Sequence, residues 1–504
     1  MSALDPRAPV LVGVGQVVHR GDALVDPISL AAEATRLAFI DCGSDLPVDT
    51  VAMPGVLAPR TEHPSHRLSA SLGLTPRRLL SSTIGGNTPQ WLVGRLGTDI
   101  LEGRCAVALV AGAEAGASAR RARKTGVEPP TVHPAGGRDT EIGDTRMGAS
   151  PAELRAGLAP PPFLYPILES AVAHHAGRNL DEQRRFLGRF MAPATEVAAS
   201  HPDLAWFPTR ATARELSEPT PGNRMIAEPY TKRMNAIIEV DQASAFLLCS
   251  VEAAEAAGIP RDRWVFPLGV ADLNDVFYPL ERPELHRSPA IETAGRALFE
   301  AVGCNLDDVS RFDFYSCFPV AVEISATALG LALDDERPLT VTGGHAYFGG
   351  PGNNYTTHSI ATMAEQLRGD PITPASDVYQ LGLLLFRQVH PRAFFVHADR
   401  ITPLFHHLGH DLPDLVIGDV LVPAFRAGHD LLLLHRSEDQ AQGSHAAGVL
   451  VTHRGFQIFV QLLSQHRQAP INGRRTLDQN AAISNFSIFS NILILLHYSL
   501  RSAT

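Results

Sequence analysis

Cysteine and lysine are scarce in this chain, and where the few of them stand excludes several kinds of protein. The five cysteines, Cys42, Cys105, Cys249, Cys304 and Cys317, are scattered through 504 residues with no close pair. That spacing provides neither a disulfide framework nor a metal site of the C-x2-C kind. Lys124 and Lys232 are the only lysines, against 41 arginines, and the formal charge is −10 with a pI near 6.1. Without a basic surplus there is no electrostatic footprint for a nucleic-acid partner, and the acidic balance is expected to serve solubility. Long apolar runs are also missing. The longest, FSIFSNILILL (486–496), has eleven residues and is interrupted by Ser487, Ser490 and Asn491, well short of the roughly 20 that cross a bilayer. The opening residues carry Asp5 and Arg7 before a glycine-punctuated strand, so no secretory segment and no membrane span are expected, and the location is expected to be cytoplasmic.

What is present is a hydrophobic content of 45%, enough for a large buried core in two or three domains. PVLVGVGQVV (9–18) reads as a strand and ISLAAEATRLAFIDCG (28–43) as a helix closed by Gly43. A helix from about residue 88 feeds a buried strand at 107–111, which implies α/β layering. From 117 to 221 the character changes. A basic, loop-like start with Arg120, Arg121, Arg123 and Lys124 precedes the helical LDEQRRFLGRFMAPATEVAASHP, as in an insertion over the core. A second α/β half begins near 253, with helices predicted at 288–303 and 319–331 and a strand running into a loop at 312–318.

Two segments carry the chemistry. LTVTGGHAYFGGPGNNYTTH (339–358) has five glycines and presents backbone N–H groups, a pattern that suits a thioester or phosphate. FDFYSCFPVAVE (312–323) places Cys317 where a strand meets a helix, with its thiol directed at the same pocket.

Together these segments resemble the thiolase superfamily, in its thiolase-like and sterol-carrier branch. The resemblance continues in the family's order through VLVGVGQVV (10–18), STIGGNTPQWLV (82–93), VALVAGAEA (107–115), GNRMIAEPYTKRMN (222–235), VDQASAFLL (240–248) and GIPRDRWVF (258–266), and it fades after about 370. It implies an α/β thiolase fold of two pseudo-symmetric halves in a layered αβαβα arrangement. The halves would span 1–252, including a loop domain at about 117–221, and 253–370 with a possible continuation to about 400. Residues 401–504 would be a divergent region, either an OB-like remnant or, given the Asn-, Ile- and Ser-rich 471–496, a frameshifted tail. DVYQLGLLLFRQV (377–389) and RAFFVHA (392–398) are expected to pair as the last hairpin.

By resemblance, the function is that of an acetyl-CoA acetyltransferase-like acyltransferase, with an acyl-CoA thioester as substrate and no bound cofactor. The implied assembly is a homodimer, with a monomer or an OB-type partner left open. The nucleophile position falls on Thr83, a far weaker nucleophile than a thiolate. The histidine of the family turn is displaced, because Gly350 stands in its place and His345 lies five residues earlier. Cys317, His345 and Tyr315 are therefore the candidate catalytic groups, with Thr83 at the usual nucleophile position. Gly85, Gly86, Asn87, Gly343, Gly344, Gly349, Gly350, Asn353 and Asn354 are the candidate substrate-binding residues, the two asparagines also serving to cap the helix that follows. Asn223, Tyr230, Lys232 and Asn235 would either line an acyl pocket or staple a loop. The histidines of HHLGH (406–410) lack a second ligand group of clear spacing, so no metal is expected. Two further readings stay open: a degenerate acyl-CoA-binding or assembly protein, and a lyase that cleaves a CoA-linked side chain by a retro-aldol step.

Overall fold

The computed structural model describes residues 4–128, 136–158 and 160–369, with strands at Val378–Leu381, Leu384–Arg387, Leu415–Ile417, Val420–Val422, Ala424–Ala427, Asp430–Leu433 and Val449–Thr452. The chain divides into two compact units, Met1–Phe395 and Val396–Thr504. The second contains the antiparallel pair at 415–422 and an antiparallel three-stranded sheet from the strands between 424 and 452.

In chain order, the elements that build the first unit are β1 (Pro9–Val18), α1 (Pro27–Cys42), β2 (Thr50–Met53), β3 (Arg78–Ser82), α2 (Thr88–Leu101), β4 (Val107–Ala115), α3 (Gly116–Thr125), β5 (Thr140–Ile142), α4 (Pro161–His175), α5 (Leu180–Ser200), β6 (Asp241–Ser250), β7 (Phe266–Val270), α6 (Pro289–Val302), β8 (Val309–Asp313), α7 (Pro319–Ala328), α8 (Tyr355–Gly369), β9 (Val378–Leu381) and β10 (Leu384–Arg387). The first sheet has the order β1-β6-β4-β2-β3-β5, antiparallel across β1, β6 and β4 and parallel from β4 to β5. The second has the order β7-β10-β9-β8.

Side-chain alternation sets the layers, because successive residues of a strand point to opposite faces. Val10 and Val12 of β1 and Leu247 of β6 pack on the α1 side, whereas Leu11, Phe246 and Leu248 pack with Leu92 and Leu96 of α2 and Ile360 and Met363 of α8. A bulge at Leu11/Gly13 changes the parity, so Val14 faces the α2 side. Beyond the second sheet, Leu298 of α6 and Val322 and Ala326 of α7 close a third core over Leu268 and Phe312. The resulting order is helix, sheet, helix pair, sheet, helix pair. Both β4 and β6 are buried along their whole length, which explains the near-continuous apolar sequence of β4 and the apolar centre of β6 at 245–249.

Most predicted elements fall where the sequence places them, with three differences. The basic start of the insertion is a helix, α3, whose first turns are fixed by two ion pairs: Arg120 with Glu239, and Arg121 with buried Asp241 at 3.1 Å. The strand read into 312–318 stops at Asp313, freeing Phe314–Phe318 as a loop. The C-terminal hairpin is made inside 377–389, between β9 and β10; 392–398 and the HHLGH histidines lie outside the described residues.

Candidate active site

Three connections converge at one end of the two sheets. Thr83–Asn87 links β3 to α2, Phe314–Phe318 links β8 to α7, and 339–354 leads into α8. A buried carboxylate fixes each of the last two. Asp313 accepts from Ser359 Oγ at 2.7 Å, Thr340 Oγ1 at 2.9 Å and the Val341 N–H at 2.9 Å, which sews the end of β8 to the glycine segment and to α8. Burial raises its carboxyl to about 6 against those three donors. Glu114, the one charged residue in β4, accepts from Leu57 N at 3.0 Å and Ala58 N at 2.6 Å, and the Asn353 N–H also reaches it. Burial raises Glu114 to about 7.

Asn353 ties the first loop to the third. Its Oδ1 accepts the Gly85 N–H at 3.1 Å and its Nδ2 donates to Gly55 O at 2.6 Å, while Thr356 Oγ1 donates to Gly86 O at 2.8 Å. Asn353 and Asn354 sit in a short 3-10 turn and are buried. Neither caps α8, because the Asn353 side chain is fully engaged across the loops and the Asn354 side chain has no hydrogen-bond partner among the described residues.

The second loop inserts Tyr315 between the other two. A Cβ on Gly86 would fall inside the Tyr315 hydroxyl, so only glycine permits this approach. The Tyr315 ring meets His345 edge-on, with centroids 4.5 Å apart, and His345 stacks on Tyr355 at 3.6 Å. Ser316 Oγ lies 3.2 Å from His345 Nδ1 and also accepts the His345 N–H, and the Tyr355 hydroxyl is 2.6 Å from Thr342 Oγ1. His345 Nε2 has no partner among the described residues. Burial lowers His345 to about 3, so its ring is neutral, and burial raises both tyrosines above the usual phenol range, so their protons stay on.

Among solved structures, a monomeric SCP2-thiolase-like protein type 1 from Mycobacterium smegmatis is 30% identical to this chain, with a TM-score of 0.66 over 88% of this chain and 92% of that one. The chain belongs to the thiolase superfamily. The Ltp2-ChsH2(DUF35) aldolase (18% identity, TM-score 0.57, 76% of this chain and 98% of that one) and an acetyl-CoA acetyltransferase from Syntrophomonas wolfei (16%, 0.54, 77% and 100%) share the fold. No protein-family model and no curated protein matches the chain.

Within this thiolase fold, the candidate residues separate. Thr83, expected from the sequence at the nucleophile position, directs its hydroxyl against Gly143, and no base is hydrogen-bonded to it among the described residues. Cys317 is half-buried in the loop but turns toward the insertion, where the Tyr165 hydroxyl bonds to it. Burial pushes its thiol up to about 12, opposite to the depression that makes a reactive thiolate. Gly350 donates its N–H to Ile237 O at 2.8 Å, with the His345 ring beside it. Gly343 N–H and Gly344 N–H donate to Thr340 Oγ1 and Thr342 Oγ1 at 3.0 and 3.2 Å. Threonine hydroxyls therefore take the amides of Gly343 and Gly344, and the Ile237 carbonyl takes that of Gly350, so these three are not free for an anion. Gly349, at φ 116°, fits against the Gln242 side chain. The Gly86 N–H has no partner among the described residues, and Asn87 is exposed beside it.

The polar cluster at 223–235 staples loops. Asn223 donates to Glu215 O, Leu216 O and Glu218 O, Asn235 donates to Thr231 O, Tyr230 bonds to Glu169, and Lys232 is exposed. Arg120 and Arg121 are tied up by Glu239 and Asp241, leaving Arg123 and Lys124 exposed at the end of α3. Ser316, Tyr165 and Glu114 were not singled out from the sequence, and Tyr355 was read only with Asn353 and Asn354 as a cap of the following helix. Glu114 carried a readable signal, a lone acid inside an apolar strand; the other three depend on contacts between distant segments.

Proposed function

We propose that this protein binds acyl-CoA thioesters and makes or breaks the carbon–carbon bond next to the thioester by proton transfer, without an acyl-cysteine intermediate. The observation that carries this reading is the Tyr315–His345–Ser316 group facing the Gly86 loop, while the two sulfur or hydroxyl nucleophiles, Cys317 and Thr83, face elsewhere. In the cleavage direction, the β-hydroxyl of a 3-hydroxyacyl thioester gives up its proton, the bond between the α and β carbons breaks, and its electron pair moves onto the thioester oxygen. The products are a ketone or aldehyde and an enolate, which takes a proton on carbon to become the shortened acyl-CoA. A neutral imidazole with Nε2 unpartnered can accept the first proton, Tyr315 can donate the second, and the Gly86 N–H can stabilise the enolate oxygen.

Incubation with a 3-hydroxyacyl-CoA and analysis for released carbonyl compound and shortened acyl-CoA tests this reading. It predicts turnover that falls at least tenfold in Tyr315→Phe and in His345→Gln, and survives in Cys317→Ala. Turnover lost only in Cys317→Ala would restore the acyltransferase reading. The close approach of Tyr315 to Gly86 favours a second reading, acyl-CoA binding without chemistry, in which a thioester binds at the loops and no product forms. No described helix is long and apolar enough to cross a membrane. A cytoplasmic location, a homodimer or monomer, and an OB-type partner complete the proposal, with light scattering and co-purification as the checks.

A further inference from the structure

On the other side of β3 from the loops described above, four arginines converge on a cleft of about 370 Å³. Arg77 and Arg78 open β3, Arg95 projects from α2, and Arg138 precedes β5, so the cleft lies over the edge of the first sheet. Leu80 and Ile142 give it an apolar floor and Thr140 a hydroxyl, and no carboxylate lines it. Two of the guanidinium groups are held from behind. Arg78 pairs at 2.8 Å with Asp99, which is fully buried and also grips Arg104, and Arg77 pairs at 3.4 Å with Asp49. Arg95 and Arg138 are exposed and have no hydrogen-bond or ion-pair partner among the described residues.

We propose that this cleft is a binding site for the diphosphate group of a nucleotide-type ligand. The chain as a whole carries a charge of −10, and while Asp99 and Asp49 offset Arg78 and Arg77, Arg95 and Arg138 lack a counter-charge among the described residues and, as like charges in proximity, repel unless an anion joins them. Guanidinium groups present planar paired donors that match phosphate oxygens two at a time. A single phosphate would leave part of the four-arginine array unmatched, whereas two linked phosphates engage it. The volume falls at the low end of small-molecule pockets, about 300–1,000 Å³, and the Leu80–Ile142 floor suits an attached apolar or flat moiety. The diphosphate comes either from a free nucleoside diphosphate or from the diphosphate of coenzyme A, in which case the site would extend the acyl-CoA reading above. The cleft is also coupled to that site through the backbone: the Thr83 N–H donates to Ile142 O at 2.9 Å, so the floor residue Ile142 holds the loop that carries Gly85 and Gly86.

Titration calorimetry of the full chain with sodium pyrophosphate, ADP and coenzyme A tests the proposal. Pyrophosphate and ADP are expected to bind one per chain, more weakly at 200 mM than at 50 mM salt. Each arginine replaced is expected to weaken them about tenfold, the equivalent of about 1.4 kcal/mol, and R95Q/R138Q about a hundredfold. Both side chains are exposed, so unfolding midpoints should be unchanged; if the double variant fails to fold, R138Q alone carries the test. Coenzyme A displacing ADP would identify the coenzyme as the source of the diphosphate, and simultaneous binding would identify a free nucleotide. Absence of pyrophosphate and ADP binding, or binding indifferent to both variants, overturns the proposal. Loss of 3-hydroxyacyl-CoA turnover with ADP binding intact would count against the acyl-CoA chemistry alone.

Discussion

Glu114→Gln tests how the loops are held. In the folded protein, burial raises the Glu114 carboxyl from 4.5 to about 7 against the Leu57, Ala58 and Asn353 N–H groups that favour its charged form. A raised folded-state value means the native state holds the proton more tightly than the unfolded chain. The contribution to stability is therefore fully present below about 4.5 and is lost as pH rises through about 7. A difference of about 2.5 units at about 1.36 kcal/mol each gives about 3 kcal/mol over that window. Glutamine has no proton to lose, so E114Q lacks this slope. At pH 5 the variant should be less stable by about 1 kcal/mol, because its NH2 group faces backbone donors where a carboxyl oxygen had accepted. Toward pH 8 the deficit should reverse, leaving the variant the more stable by about 1–2 kcal/mol. Urea unfolding of both proteins at intervals from pH 4.5 to 8 measures the difference curve, in which the other buried acids, Asp313 among them, cancel. Parallel stability curves would refute the reasoning and show that the three N–H groups keep Glu114 ionised.

Three further outcomes follow from the same geometry. Gly86→Ala should destabilise by about 1–3 kcal/mol through overpacking on Tyr315, and in urea unfolding the Tyr315→Ala background should remove most of that loss, a coupling absent if the two residues do not touch. Cys317 should resist iodoacetamide: a thiol near 12 is ionised at pH 8 roughly a thousandfold less than an ordinary one, and peptide mapping after timed alkylation reads this directly. Thr83→Cys should not create acetoacetyl-CoA thiolysis, since the side chain faces Gly143 and no imidazole is bonded to it among the described residues; thiolysis appearing in a coupled CoA assay would contradict the placement.

Much of the layered fold was legible in the sequence because strand and helix patterns are local. VALVAGAEA, apolar but for Glu114, gave a doubly buried strand, and Gly43 and Gly303 closed the helices before them, each at a left-handed φ. The family motifs also placed the three loops in one reading. Side-chain partners were less accessible. Asn353 looked like a helix cap because asparagine before a helix usually is one, and only the arrival of Gly85 from 268 residues away redirected it. The insertion's basic run looked like a loop, yet Glu239 and Asp241, just before and at the start of a distant strand, steady it as a helix.

The sequence by itself determined the superfamily, the layering and the departures at Thr83 and Gly350, since these depend on residue identity and short-range periodicity. Tertiary structure decided which groups meet at the loops. Whether a glycine amide is free, whether a thiol is charged and whether an imidazole has a partner depend on groups brought together from remote parts of the chain. Hydrogen bonding and desolvation act over a few ångströms of space, whatever the separation in sequence. The glycine-rich segment that presents its amides on paper closes those of Gly343 and Gly344 on Thr340 and Thr342 in the folded protein, and Tyr315 faces the Gly86 loop with His345 against its ring.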